Sequence, residues 1–279
     1  MANFDTGIFP TWCGGCGDFG IWAALKAAIK QLNWESHQFV IVYDIGCSGN
    51  MASFLRVYAF HGLHGRAIPA ATGIKLANHS QKVIVIGGDG GLLSEGLTHF
   101  VAAARANMAI TVILHNNQVY GLTTGQSSPT SLKGTKGKAT PLGVVDQPLE
   151  PCGFALLSGA TYVARAFAGT IPDTTKIFVD ALTHRGFALV EVLQPCVTYN
   201  KLNTYDWFRQ RVKPLPAVPT NVYEAIAKAA WTDQDIFTGV FKRDEAALPY
   251  HLNFEILKEK TLIQYQEKRD LTKYIISQK

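Results

Sequence analysis

Residues 83–126 read VIVIGGDGGLLSEGLTHFVAAARANMAITVILHNNQVYGLTTGQ. Val83 to Ile86 is a short apolar, β-branched run of the kind that fills a buried strand. It stops at Gly87-Gly88-Asp89-Gly90-Gly91, where backbone without side chains can turn tightly or come close to a ligand. A helical pattern follows, with Leu93, Leu97, Val101 and Ala104 on one face. A second strand, Ile110 to Leu114, then delivers Asn116-Asn117. A right-handed crossover between the two strands brings their carboxyl ends to the same edge of a parallel sheet. Asp89 and Asn117 therefore meet at the edge where α/β sheets bind ligands.

The two side chains suit a hard cation. A carboxylate and an amide oxygen are ligands for Mg²⁺, which keeps few protein ligands and shares its shell with phosphate oxygens. Glycines beside Asp89 let backbone N–H groups approach a diphosphate at the start of a helix. A Gly-Asp-Gly by itself is usually just a turn. Here the helix, the second strand, Asn116-Asn117 and Tyr120-Gly121-Leu122-Thr123-Thr124-Gly125-Gln126 follow it in order, and that combination favours a site.

The rest of the chain is consistent with a globular protein. At 279 residues it can form one large domain or two small ones, and 47% apolar against 17% charged residues is enough to bury a sizeable core. There is no internal repeat and no low-complexity tract. The net charge of +5 is mild and spread out, so no nucleic-acid partner is expected. The most basic run, Lys133, Lys136 and Lys138, falls in a Gly/Ser/Thr-rich stretch and reads as a solvated loop. No apolar run is long enough to span a bilayer and the start has no signal-peptide layout, so a cytoplasmic protein without membrane association is expected.

Five cysteines stand at positions 13, 16, 47, 152 and 196. In a cytosolic chain disulfides are rare, and metal binding is the competing use. Cys13-Gly14-Gly15-Cys16 is a C-x-x-C pair that fits a redox dithiol, half of a zinc site or half of an iron–sulfur site; no strand precedes it, unlike the thioredoxin-type motif. Cys47 follows an expected strand at 39–45, and Cys196 follows another at 187–193, so both sit at the edge that holds Asp89 and Asn117. Cys152 reads as a small buried residue. Four thiolates can hold a [4Fe–4S] cluster or a zinc ion, and their spacing alone does not choose.

Gly-Asp-Gly followed about thirty residues later by Asn-Asn resembles the thiamine diphosphate binding motif. Thr11-Trp12-Cys13-Gly14-Gly15-Cys16-Gly17, Ile45-Gly46-Cys47-Ser48-Gly49, His61-Gly62-Leu63-His64-Gly65-Arg66, the Asp89 and Asn117 elements, residues 120–126 and Pro195-Cys196-Val197-Thr198 occur in one order. Together they resemble the β subunit of a 2-oxoacid:ferredoxin oxidoreductase, from about residue 8 to about residue 213. That likeness implies that Cys13, Cys16, Cys47 and Cys196 ligate a [4Fe–4S] cluster. It also implies that Asp89, Asn117 and the carbonyl of Val119 ligate Mg²⁺. Ile45, Gly46, Cys47, Ser48, His64, Gly90, Gly91, Gly121 and Leu122 match thiamine diphosphate contacts. His64, Arg66, Asn50 and Leu122 fall where side chains face the diphosphate or the substrate, and His61 is left open.

Two positions depart from the pattern. Relatives often carry an acidic residue where Gly91 stands, and some carry a basic one where Asn50 stands. A neutral Asn50 offers no fixed cation for a second carboxylate, which favours pyruvate-like or broad use over strict 2-oxoglutarate use.

The expected architecture is a doubly wound parallel α/β domain of the diphosphate-binding type over residues 1–213, followed by a mostly helical extension over 214–279. Asp18 is expected to cap the first helix. The expected activity is oxidative decarboxylation of a 2-oxo acid with coenzyme A and ferredoxin. An α chain, separate or fused to a γ chain, would supply the pyrimidine-side Glu, with the aromatic-rich segment Tyr199 to Phe208 at the interface. A non-oxidative thiamine enzyme would leave the four-cysteine set without use. A zinc or electron-transfer module would leave Asp89, Asn117 and the His61–Arg66 stretch without use.

Overall fold

In the computed structural model, which describes residues 4–265, eight strands form one sheet in the order β2-β1-β3-β4-β8-β7-β10-β9. The strands are β1 (Phe39–Tyr43), β2 (Tyr58–His61), β3 (Lys82–Gly88), β4 (Thr111–Asn116), β7 (Tyr162–Phe167), β8 (Ala188–Leu193), β9 (Val212–Pro214) and β10 (Ile236–Arg243). The six from β2 to β7 run parallel, while β10 pairs antiparallel with β7 and parallel with β9. A two-stranded hairpin, β5 (Val119–Tyr120) with β6 (Gln126–Ser127), stands at the carboxyl edge.

Helices α1 (Asp18–Gln31), α2 (Ala67–Ala77), α3 (Leu97–Arg105), α4 (Pro151–Leu157), α5 (Ile171–Thr183) and α7 (Val222–Ala229) cover the two faces; α6 (Tyr205–Arg209) and α8 (Ile256–Glu259) are short. The central strands β1, β3, β4, β7 and β8 are buried and mostly apolar because both faces are covered. Ile84, Ile86 and Ile113 meet Ile21, Leu25 and Ile29 of α1 and Phe178 of α5 on one face. Val83, Val85 and Val112 meet Ile68 of α2, Phe100 of α3, Leu156 of α4 and Ala225 of α7 on the other.

This is the expected α/β architecture, with three local differences. The turn after β3 begins as a π-helical turn, Gly91–Glu95, before α3 starts, so the buried face of that helix is Phe100, Ala103 and Ala104 rather than a stripe through Val101. Asp18 makes no side-chain cap: it lies one residue inside α1, and its carboxylate turns into the core toward His115. The segment after 213, expected as mostly helical, also places β9 and β10 in the main sheet. From residue 250 onward the extension is represented by short helical turns up to residue 264 and otherwise lies outside the described residues.

Candidate active site

The adjacent strands β1, β3, β4 and β8 run parallel, so their carboxyl ends share one edge. Cys47 follows β1, Asp89 follows β3, Asn117 follows β4 and Cys196 follows β8. A cavity at this edge is lined by Ile45–Ser48, His64, Gly88–Gly91, His115, Asn117, Val119–Thr123 and Gln194. It therefore gathers nearly every residue that the sequence pointed to for the cofactor and the cation.

Asp89 is buried, and its Oδ2 accepts hydrogen bonds from Ser128 Oγ and Thr130 Oγ1, both at 2.5 Å. Burial pushes the Asp89 carboxyl up to about 6 against the pull of these hydroxyl donors. Asn117 Oδ1 accepts from Val119 N at 3.0 Å, which points the amide oxygen along the chain to the next ligand candidate. The preceding Asn116 faces the opposite way: its Nδ2 donates to Glu191 Oε1 at 2.6 Å on the other side of the sheet.

The glycines hold the cavity open. A Cβ on Gly90 would lie 2.4 Å from the Tyr120 ring, and one on Gly91 would lie 2.2 Å from Asp44 Oδ2. Asp44 thus occupies the space that a side chain at 91 would need, and its Oδ1 accepts from Ile45 N and Gly65 N at 2.8 Å. Four buried polar atoms of cavity-lining residues have no protein partner: Ser48 Oγ, His64 Nδ1, His115 Nε2 and Gln194 Oε1. Buried polar atoms without a partner are rare and ask for one. With the hard oxygen donors of Asp89 and Asn117, they make a lining that fits a polar, diphosphate-bearing cofactor and its cation.

The cysteines gather beside this cavity. A Cβ on Gly121 would lie 3.5 Å from Cys47 Sγ and 3.7 Å from Cys196 Sγ, so glycine there lets the hairpin approach both sulfurs. Cys16 N donates to Cys13 O, Gly17 N donates to Pro195 O, and Gln194 Nε2 donates to Cys16 Sγ at 3.3 Å; these bonds dock the C-x-x-C turn against the end of β8. Trp12 Nε1 donates to Cys47 O at 2.7 Å. Burial, then the charge of Asp18, pushes the Cys16 thiol up, and the same causes push Cys47 up to about 12. Metal binding would have to displace these protons. Among the described residues no three of these sulfurs lie within 4.8 Å of one another. The sulfurs of a tetrahedral zinc site, each about 2.3 Å from the metal, stand about 3.8 Å apart. No three of the sulfurs therefore stand at tetrahedral zinc spacing among the described residues.

Three expected side chains lie outside the lining. Arg66 is exposed and donates to Glu95 O at 2.8 Å and to Gly65 O. Asn50 sits in the 3₁₀ turn Gly49–Ser53, two residues after cavity-lining Ser48. His61 is exposed on β2. Leu122 does line the cavity, half-exposed at its mouth.

Cys152 is buried on the other face, where its Sγ donates to Glu191 Oε2 at 3.1 Å. With Glu150 and Glu191 it forms a compact group of ligand-type atoms, but Arg165 already supplies the cation: its Nε donates to Glu191 Oε2 at 2.7 Å and its Nη2 to Glu150 Oε1. As site residues, Asp18, Asp44, His115, Ser128, Thr130 and Gln194 did not stand out in the sequence. Only His115, directly before Asn116-Asn117, carried a local signal.

Comparisons agree with this geometry. Residues 44–192, more than half of the chain, match the model of the thiamine pyrophosphate enzyme C-terminal TPP binding domain. Residues 196–259 match the model of the C-terminal part of the pyruvate ferredoxin oxidoreductase beta subunit. The chain is 43% identical to 2-oxoacid:ferredoxin oxidoreductase 1, subunit beta, of Aeropyrum pernix, over 88% of this chain and 76% of the relative. It is 42% identical to a 2-oxoacid:ferredoxin oxidoreductase subunit beta of Saccharolobus solfataricus, over 86% and 83%. A solved 2-oxoglutarate:ferredoxin oxidoreductase from Magnetococcus marinus, with 2-oxoglutarate, coenzyme A and succinyl-CoA bound, superposes with a TM-score of 0.88 at 36% identity, covering 99% of this chain and 94% of that one.

Proposed function

We propose that this chain, which belongs to the family of 2-oxoacid:ferredoxin oxidoreductase β subunits, is the catalytic subunit for coenzyme A-dependent oxidative decarboxylation of a 2-oxo acid, run in either direction. The observation that carries the reading is that hard oxygen ligands and thiolates converge on one cavity: Asp89 and Asn117 line it, and Cys47 and Cys196 flank Gly121 at its edge.

Thiamine diphosphate supplies a carbon nucleophile for the keto carbon and a sink for the electrons left when CO₂ departs, and a [4Fe–4S] cluster passes electrons on singly. The chain's own residues do the rest. Asp89, Asn117 and the Val119 carbonyl hold Mg²⁺, and through it the diphosphate. The backbone N–H groups of Gly90 and Gly91, at the start of the π-helical turn, face the anionic end. Ser48 Oγ and the His64 ring complete its hydrogen bonds, and Asp44, 3.6 Å from His64 Nδ1, orients that ring. Cys13, Cys16, Cys47 and Cys196 would hold the cluster, with Cys47 and Cys196 next to Gly121 of the β5–β6 hairpin.

The solved neighbour was captured with 2-oxoglutarate, so this acid and pyruvate are the two substrates to compare first. The test is anaerobic purification of the complete enzyme. The reading requires a brown iron–sulfur chromophore, tightly held thiamine diphosphate, and ferredoxin reduction that needs both coenzyme A and a 2-oxo acid. Colourless protein with full thiamine content would move the chain to non-oxidative chemistry. Protein with iron but no thiamine would reduce it to an electron carrier.

A further inference from the structure

The loop Ser128-Pro129-Thr130-Ser131 is buried at all three hydroxyl residues, although it lies in a long stretch with little regular structure. Buried hydroxyls need partners, and here the partners are specific. Ser128 Oγ and Thr130 Oγ1 both reach the same oxygen of Asp89, Oδ2, at 2.5 Å. Ser131 Oγ donates to Gln118 O at 2.6 Å, and Gln118 Nε2 donates back to Thr130 O at 3.1 Å. Ser128 N donates to Ser131 Oγ and Ser131 N to Ser128 O, so the loop closes on itself as a rigid turn.

Gln118 is the residue between Asn117 and Val119, and its φ is +59°. In the left-handed region the Cβ of such a residue crowds the following carbonyl oxygen, so glutamine stays there only when its surroundings hold it. The two bonds to the loop hold it there, and its turn brings Asn117 and Val119 to the same cavity. A carboxylate has two oxygens and can rotate; two hydroxyls on Oδ2 stop that rotation and fix which oxygen faces away from the loop. Thr130 has one proton and also lies 2.9 Å from Asn116 Oδ1. An ionised carboxylate is the stronger acceptor, so that proton goes to Asp89.

We propose that Ser128 and Thr130 are positioning residues of the cation site, fixing the orientation of Asp89 while Ser131 and the Thr130 carbonyl fix the Gln118 backbone that presents Asn117 and Val119. This inference rests on the reading of Asp89 and Asn117 as the cation ligands. Neither hydroxyl lines the cavity, so both act through Asp89 and not on substrate or cofactor.

The experiment titrates Mg²⁺ into the complete enzyme after chelation, at fixed thiamine diphosphate, and follows cofactor binding by protein fluorescence. Outer-shell partners of metal ligands typically change metal affinity by roughly 10–100-fold. Thr130→Val, and the double variant Ser128→Ala with Thr130→Val, should raise the half-saturating Mg²⁺ concentration by that factor, with the same binding end point at excess Mg²⁺. Thr130→Ser, which keeps the hydroxyl, should restore it, and iron content should stay at the wild-type level. An unchanged half-saturation point in the double variant overturns the inference, as does an equal defect in Thr130→Ser. If Thr130→Val does not fold, Ser128→Ala alone carries the same comparison. Wild-type enzyme that binds thiamine diphosphate without any Mg²⁺ dependence would overturn the cation site itself, and this inference with it.

Discussion

His115 Nδ1 lies 2.7 Å from Asp18 Oδ1, and both side chains are buried. The pair ties the end of β4 to the first turn of α1. Asn117 stands two residues beyond one partner and Cys16 two residues before the other, so this one contact fixes Asn117 relative to the C-x-x-C turn. Asp18 Oδ2 also accepts from Cys16 Sγ at 3.3 Å. Removing the carboxylate would leave a buried imidazole with both nitrogens unpaired, since Nε2 already has no protein partner.

A hydrogen bond to a charged group contributes about 1.5–3 kcal/mol. Asp18→Ala is expected to lower stability by that order and to loosen the Cys16 turn. Thermal melting of the apo and the iron-loaded protein should both shift down, and iron should leave faster to a chelator. A wild-type melting temperature together with a wild-type rate of iron loss would show that the pair does not couple the two ligand sets.

The cysteines give a second test. Cys13, Cys16, Cys47 and Cys196 converge beside Gly121 and the end of β8, while Cys152 lies on the opposite face with Glu191 and Arg165. Changing any of the four to Ser should lower iron content and ferredoxin reduction. Cys152→Ser should do neither, because a hydroxyl can donate to Glu191 as the thiol does. Full iron loading in Cys196→Ser would remove that residue from the ligand set.

The strand–turn–helix logic around Asp89 and Asn117 was legible because it is local: apolar runs of strand length, glycines at the turns and a fixed right-handed crossover. Cys47 and Cys196 were legible for the same reason, as residues just past strands. What was not legible depends on which side chains meet across the sheet. Asp44, Asp18 and Ser128 look like ordinary turn and cap residues in sequence; only packing turns them inward. Arg66 differs in the opposite direction: its guanidinium folds onto the Glu95 carbonyl, outside the cavity lining. The strand Ile236–Arg243 was hidden because Gly239, a residue that depresses strand propensity, interrupts its apolar run and Lys242-Arg243 end it. Its place in the sheet comes from pairing with β7. The stretch from Tyr199 to Phe208, read as partner-facing, divides: Tyr199 and Leu202 are exposed, but Phe208 is buried against Phe167, Trp207 and Trp231.

At the opposite, amino edge of the sheet the rings of His79 and His251 stack at 4.8 Å. Burial, then the charges of His79, Lys75 and Arg185, pushes His251 down to about 4; burial and then Lys75 lower His79. Lys82 and His184 also face this pocket, and Glu245 lies 3.8 Å from His184. In the unfolded chain a histidine titrates near about 6.5. Between there and about 4 the unfolded chain therefore binds more protons than the folded one. The stability due to these histidines is complete above the unfolded value and is lost as pH falls toward the folded one. Melting temperatures should drop between pH 7.5 and pH 5, and the drop should shrink in His79→Gln with His251→Gln. An identical pH slope in that double variant would assign the loss to other groups.

The final prediction is that this chain alone does not turn over. Thiamine diphosphate must lose its C2 proton before it attacks a keto carbon, and a Glu beside the aminopyrimidine ring assists that step in enzymes of this cofactor. The cavity here offers one carboxylate among the described residues, Asp89, and that one is already held by Ser128 and Thr130. One large sheet accounts for nearly all of the strands, so no second α/β domain supplies the missing acid among the described residues. The neighbouring surface is apolar where a partner would sit: Leu63, next to cavity-lining His64, is 77% exposed, and Tyr58 and Phe60 on the edge strand β2 are 63% and 48% exposed. An open edge strand carrying aromatic residues is ready to be covered. The purified chain should take up iron, yet leave 2-oxo acids intact until the partner α chain is added. Leu63→Asp should weaken that rescue while leaving the iron content of the isolated chain unchanged. Multiple turnovers by the isolated chain, shown by mass spectrometry to be free of partner, would place the missing acid within these 279 residues.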